Sequence, residues 1–250
     1  MIHEKSYFRV IKDKTLSAKE NMATDDALLS LYKDGDNAIF RVYSWEKSFT
    51  IGLSQKFENY SFSSLYKGNY AKRITGGGVL FHGHDLSYSL VIPSKLLDGL
   101  NIKESYEKIC TFIINFYKKL GLDAKYVKDS EDITLSKNEF CQVGFEAYDI
   151  LVNGKKIGGN AQRRTKKAIF QHGSIPIFKN NDKNNNGKIG YTLEDFGIKI
   201  DYEETKRLLI ESFRESFLVE TINSKLTLEE EKKKNLLLKE KYDIYSKAKI

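Results

Sequence analysis

Cysteine is scarce in this sequence: Cys110 and Cys141 are the only two in 250 residues. That is too few for a disulfide scaffold and fits a reducing compartment. No apolar run approaches the roughly 20 residues that a membrane-spanning helix needs. The opening stretch, MIHEKSYFRVIKDK, is charged throughout and has no apolar signal core. The expectation is a cytoplasmic protein without membrane association. Four scattered histidines and two distant cysteines provide no metal-ligand cluster, so no metal is expected. Zinc spacing, a helix-turn-helix pattern and an aromatic RNA-binding strand motif are also missing. The excess of 41 basic over 34 acidic side chains therefore lacks the companions of nucleic-acid recognition, and an acidic protein partner fits it better.

What is present describes a globular chain, 40% hydrophobic and 30% charged, long enough for one large domain or one domain with a small appendage. Apolar residues on a helical period in AKENMATDDALLSLYK predict a helix over 18–33. The stretch AIFRVYSWEKSFTIGLSQ alternates as paired strands do. Two further strands are expected within 70–95, and a helix over about 103–120 that stops at Gly121. Cys110 falls on that helix among apolar neighbours, where a cysteine behaves as a small buried hydrophobe. VNGKKI is an asparagine-glycine hairpin turn. KNNDKNNNGK reads as a surface loop, and the charged remainder from about 201 to 250 as helical. Together these predict a mixed α+β fold, with a domain over 1–200 and a helical extension over 201–250. Hairpin connections argue against a uniformly parallel sheet.

Two glycine clusters stand out. In KRITGGGVLFH, Gly76, Gly77 and Gly78 follow Arg73 and precede His82. Three glycines cost backbone entropy in any regular element. They form either a structural turn or a bare surface for a ligand lying against a strand, its polar end held by amide groups and charge. In GKKIGGNAQRR, Gly158 and Gly159 again expose backbone. Lys155 sits in the turn and points to water; Lys156, beside Ile157, is the lysine expected to turn inward.

NMATDDALL, RVYSWEKSFTIGLSQ, RITGGGVLFH, YDILVNGKKIGGNAQRR and FQHGSI occur in the order of the hallmark segments of the lipoate and biotin protein ligase superfamily. Over about 18–178 the chain resembles its lipoate ligase and octanoyltransferase branch. The resemblance implies a mixed, largely antiparallel sheet flanked by helices, an acyl chain bound near Gly76–Gly78, and Lys156 facing the reacting carbonyl.

Within that branch, ligases activate a free acid with ATP, whereas transferases start from an acyl carrier protein thioester. Cys141, fifteen positions before Lys156, stands where cysteine-dependent octanoyltransferases carry their nucleophile. The resemblance thus implies Cys141 and Lys156 as catalytic, and Arg73, Gly76, Gly77, Gly78, His82, Gly158 and Gly159 as substrate-binding. It implies octanoyl-acyl carrier protein as donor and a lipoyl domain, such as the glycine-cleavage H protein or a 2-oxo acid dehydrogenase subunit, as acceptor. A monomer without cofactor is expected, ATP and Mg entering only for an ATP-dependent ligase. A non-catalytic binder of acyl groups or lipoyl domains is the remaining alternative. CQVGFEAYDI departs from the serine- and proline-containing loop of typical octanoyltransferases, and AIFQHG lacks the cysteine that another type carries there.

Overall fold

The computed structural model describes residues 7–130, 135, 140, 147–180 and 189–243. In chain order the regular elements are β1 (Tyr7–Leu16), α1 (Ala18–Leu31), β2 (Ala38–Trp45), β3 (Ser48–Ile51), β4 (Tyr70–Lys72), β5 (Leu80–His82) and β6 (Asp85–Pro93). Then follow α2 (Ile102–Lys119), β7 (Ala124–Tyr126), β8 (Ile150–Val152), β9 (Lys155–Arg164), β10 (Ala168–Pro176), α3 (Tyr202–Phe217), β11 (Glu220–Ser224) and α4 (Leu228–Leu237). Eight strands form one sheet in the order β11-β1-β2-β6-β10-β9-β8-β7, and β4-β3-β5 form a small second sheet. Within the large sheet β1 runs parallel to both β2 and β11, and the other pairs are antiparallel. The expected fold, a mixed and largely antiparallel sheet flanked by helices, is the one observed.

The period of two in β2 explains how the layers assemble. Ala38, Phe40 and Val42 face a core shared with Phe112 of α2 and Phe213 of α3, while Ile39, Tyr43 and Trp45 join clusters on the opposite side. Phe40 stacks on Phe213 at 4.3 Å and meets Phe112 edge-on at 5.6 Å. Complete burial of such a side chain stabilises by about 2–3 kcal/mol. In α2, Ile109, Phe112, Ile113 and Phe116 recur at helical spacing and are all buried.

The opposite face is polar as well as apolar. α1 begins at a capping box between Ser17 and Glu20 and lays Met22 and Ala23 near Tyr43. It also drives Asp25 into the sheet, where the fully buried Arg41 donates to it at 2.8 Å and to Asp13 at 2.7 Å. Tyr43 and Ser89 add hydroxyl donors. Burial alone would raise the Asp25 carboxyl, but the Arg41 charge, the nearby His172 imidazole and the Ser89 hydrogen bond hold it below its ordinary value.

The C-terminal region is not purely helical. β11 sits beside β1 and separates α3 from α4. Its side chains are largely exposed, so it carries no burial pattern and pairs through its backbone.

Candidate active site

The triple glycine lies in the loop joining β4 to β5. Arg73, buried, donates from Nη2 to the carbonyls of Gly76 at 3.2 Å and Gly78 at 2.7 Å, and from Nη1 to Thr50 Oγ1 at 2.9 Å. Gly77 has φ +97°, a left-handed conformation that glycine adopts without strain. A Cβ built on Gly76 would meet no atom within 4 Å, whereas one on Gly52 would overlap the Gly77 carbonyl. The loop therefore rests its backbone directly on Gly52.

Two imidazoles back this loop. His82 Nδ1 lies 2.9 Å from Asp85 Oδ2, its Nε2 lies 2.9 Å from Thr50 Oγ1, and its ring stacks on Trp45 at 3.7 Å. Asp85 also accepts from Ser174 at 2.7 Å. Burial opposes its ionisation, but the charge and hydrogen bond of His82 prevail and hold its carboxyl below the ordinary range. His172 Nε2 lies 2.7 Å from Thr75 Oγ1, and its Nδ1 is 3.8 Å from Asp25 Oδ2. Burial keeps this imidazole below its usual value despite the nearby carboxylate.

The hairpin between β8 and β9 turns at Asn153 and Gly154, with φ +49° and +72°, the left-handed pair that an asparagine-glycine turn requires. Beyond it the two lysines part. Lys155 is exposed, its ammonium 5.2 Å from the Tyr191 ring, and Lys156 is 5% exposed with Nζ 2.6 Å from Asp149 Oδ2. Both glycines that follow are explained by close approach. A Cβ on Gly158 would lie 2.7 Å from the Ser174 carbonyl oxygen of the neighbouring strand, and one on Gly159 3.3 Å from Asp149 Oδ1.

Arg73, Gly76, Gly77, Gly78, His82, Lys156 and Gly159 line one cavity of about 240 Å³. Gly158 is not among its lining residues and packs against β10 instead. Cys141 lies outside the described residues. Phe140, the residue before it, lines the cavity, forms a bridge with Val79 just after the glycines and stacks on Phe81 at 6.0 Å. Cys110 is buried elsewhere, its thiol pushed up to about 12 by desolvation, so its nucleophilic form is suppressed.

Trp45 and Asp149 also line the cavity and escaped the sequence reading. Asp149 had a signal, since in a hairpin turning at 153–154 it falls diagonal to Lys156 on one face. Trp45 ends an alternating strand, and nothing in its residue type or spacing marks it as part of a site. The resulting site places an ion-paired ammonium, aromatic walls and bare backbone around a narrow space. Such a space suits an apolar rod with a reactive carbonyl at one end. Among the described residues no group of three or more His, Cys, Asp or Glu could hold a metal ion, and no helix is long and apolar enough to cross a membrane.

The family model of the lipoyl protein ligase A/B catalytic domain matches residues 17–189. Octanoyltransferase LipM of Clostridioides difficile is 29% identical, over 95% of this chain and 96% of its own length. Octanoyltransferase LipM of Carboxydothermus hydrogenoformans is 30% identical, over 94% of this chain and 96% of its own. A T. acidophilum protein solved with bound lipoic acid superposes with a TM-score of 0.79 at 25% identity, covering 95% of this chain and 96% of that one.

Proposed function

The chain belongs to the lipoyl protein ligase A/B catalytic domain family, and from that membership we propose that it is an octanoyltransferase of lipoate synthesis that works through a cysteine thioester. Its likeness to the octanoyltransferases, over nearly their whole length, supports the reaction class. The donor is octanoyl-acyl carrier protein and the acceptor a lysine of a lipoyl domain.

In the first step the Cys141 thiolate attacks the octanoyl carbonyl. A new carbon–sulfur bond forms, the bond to the carrier thiol breaks, and that thiol leaves with a proton. One thioester replaces another, so no activation by ATP is needed. In the second step the acceptor amine attacks the acyl-cysteine, an amide forms with loss of a proton, and the Cys141 thiolate departs. This step runs downhill.

The observation that carries the reading is the cavity wall itself. Lys156 Nζ, held at 2.6 Å by Asp149, shares that wall with the triple glycine and with Phe140, the residue next to Cys141 in the chain. A fixed ammonium there favours the thiolate and stabilises negative charge developing on the acyl oxygen. The bare backbone at Gly76 leaves room for the chain.

The test mixes the protein with octanoyl-acyl carrier protein and a lipoyl domain in the absence of ATP. Transfer, together with a mass increase of one octanoyl group that disappears in Cys141→Ser, is the expected result. Strict dependence on ATP would instead make the protein a ligase. Lys156→Ala distinguishes an enzyme from a binder, because a binder has no turnover to lose.

A further inference from the structure

The glycine loop is tied to the buried Asp85 carboxylate through an imidazole, a hydroxyl and a guanidinium. Asp85, ionised, can only accept, so His82 donates to it through Nδ1 at 2.9 Å. Its Nε2 lies 2.9 Å from Thr50 Oγ1 and shares a hydrogen bond with that hydroxyl. The same Thr50 oxygen accepts from Arg73, which can only donate and delivers Nη1–H at 2.9 Å. Arg73 Nη2 in turn holds the carbonyls of Gly76 and Gly78. At the loop's other end Thr75 bonds His172 at 2.7 Å, and Thr75 O accepts from the Leu53 amide at 2.8 Å.

Thr50 is completely buried and is not among the residues that line the cavity. Contact with the acyl group therefore does not account for it. We propose that Thr50 is a positioning residue for the transfer: by coupling His82 to Arg73 it sets the orientation of the Gly76 and Gly78 carbonyls and so fixes the loop that borders the acyl group. In a trans peptide the N–H points opposite to the C=O, so turning Gly76 O toward Arg73 aims the Gly77 N–H the other way. A dipole oriented in advance needs no reorganisation when charge develops on the acyl oxygen. The kinetic part of this inference rests on the transfer reading above; the structural part does not.

The experiment compares the full-length protein with Thr50→Val, which keeps the shape and loses the hydroxyl, and Thr50→Ser, which restores it. Three readouts are taken: octanoyl transfer from octanoyl-acyl carrier protein to a lipoyl domain, amide hydrogen exchange at residues 76–78, and the melting temperature. In Thr50→Val, kcat is expected to fall about 10-fold or more with KM within about 2-fold, as for loss of an oriented group that acts mainly in the transition state. Exchange at 76–78 is expected to quicken about 10-fold, and Thr50→Ser to lie within about 3-fold of the parent in both. Wild-type exchange in Thr50→Val, or a Thr50→Ser as impaired as Thr50→Val, overturns the proposal. If the parent transfers nothing, the transfer reading fails, and the exchange comparison still decides whether Thr50 holds the loop.

Discussion

An alanine at position 52 would have nowhere to put its methyl group. A Cβ built there overlaps the Gly77 carbonyl oxygen and lies 2.8 Å from its carbon and 3.0 Å from the carbonyl carbon of Gly76. Carbon atoms settle at about 3.5–4.0 Å, so the loop must retreat by about 1 Å, and the atoms in the way are backbone rather than the end of a flexible side chain. Overpacking of this kind costs about 1–3 kcal/mol, which for a domain of this size lowers the melting temperature by about 2–12 °C. The effect on function should exceed the effect on folding. Gly76 and Gly78 are clamped by Arg73, so a retreating loop breaks those bonds or drags the guanidinium with it. A misplacement of about 1 Å costs about 100-fold in rate. Octanoyl transfer kinetics on Gly52→Ala, at a temperature where a melting curve shows the variant fully folded, measure this directly. Parental kcat/KM together with a parental melting temperature would refute the reasoning, because it would mean that the loop does not rest on Gly52.

Gly76→Ala should behave oppositely, since its methyl group meets no protein atom. Its melting temperature should stay within about 2 °C of the parent while KM for the octanoyl donor rises, as thermal melts and initial rates will show. His84 is buried with neither ring nitrogen bonded among the described residues, and burial holds its imidazole below the ordinary value. Because the unfolded chain then binds a proton more readily, the parent loses stability as pH falls below about 6.5. His84→Leu should therefore melt about 2–8 °C higher at neutral pH, with a larger gain at pH 5 than at pH 8. Cys110, its thiol pushed up to about 12, should resist iodoacetamide in the folded protein. Intact mass should show one adduct, on Cys141, before unfolding and two after.

Local chemistry was the legible part of this molecule. The Asn153–Gly154 turn, the amphipathic α2 and the alternation in β2 each follow from a few neighbouring residues. β1 was not visible, because Lys12, Asp13 and Lys14 interrupt its apolar alternation, and the strand is fixed by partners on both sides. β11 was concealed for a related reason: an exposed strand pairs by backbone alone and leaves no mark on its side chains. In the site, the glycines and Lys156 announced themselves by residue type and spacing. Thr50, Asp85 and Asp25 could not. Their significance lies in contacts with His82 and His172 that span 32, 3 and 147 positions, and only the assembled sheet brings the longer pairs together.

The parallel pairing of Tyr7 with Glu220 bears on how the protein is made. The strand β1 waits for a neighbour encoded more than 200 residues later. At about 5–20 residues per second that interval is on the order of 10–40 s. Throughout it the nascent chain carries the stretch Tyr7–Ile11 with one hydrogen-bonding margin unoccupied, so biosynthesis, more than the finished molecule, is where this fold is most open to chaperones and to self-association.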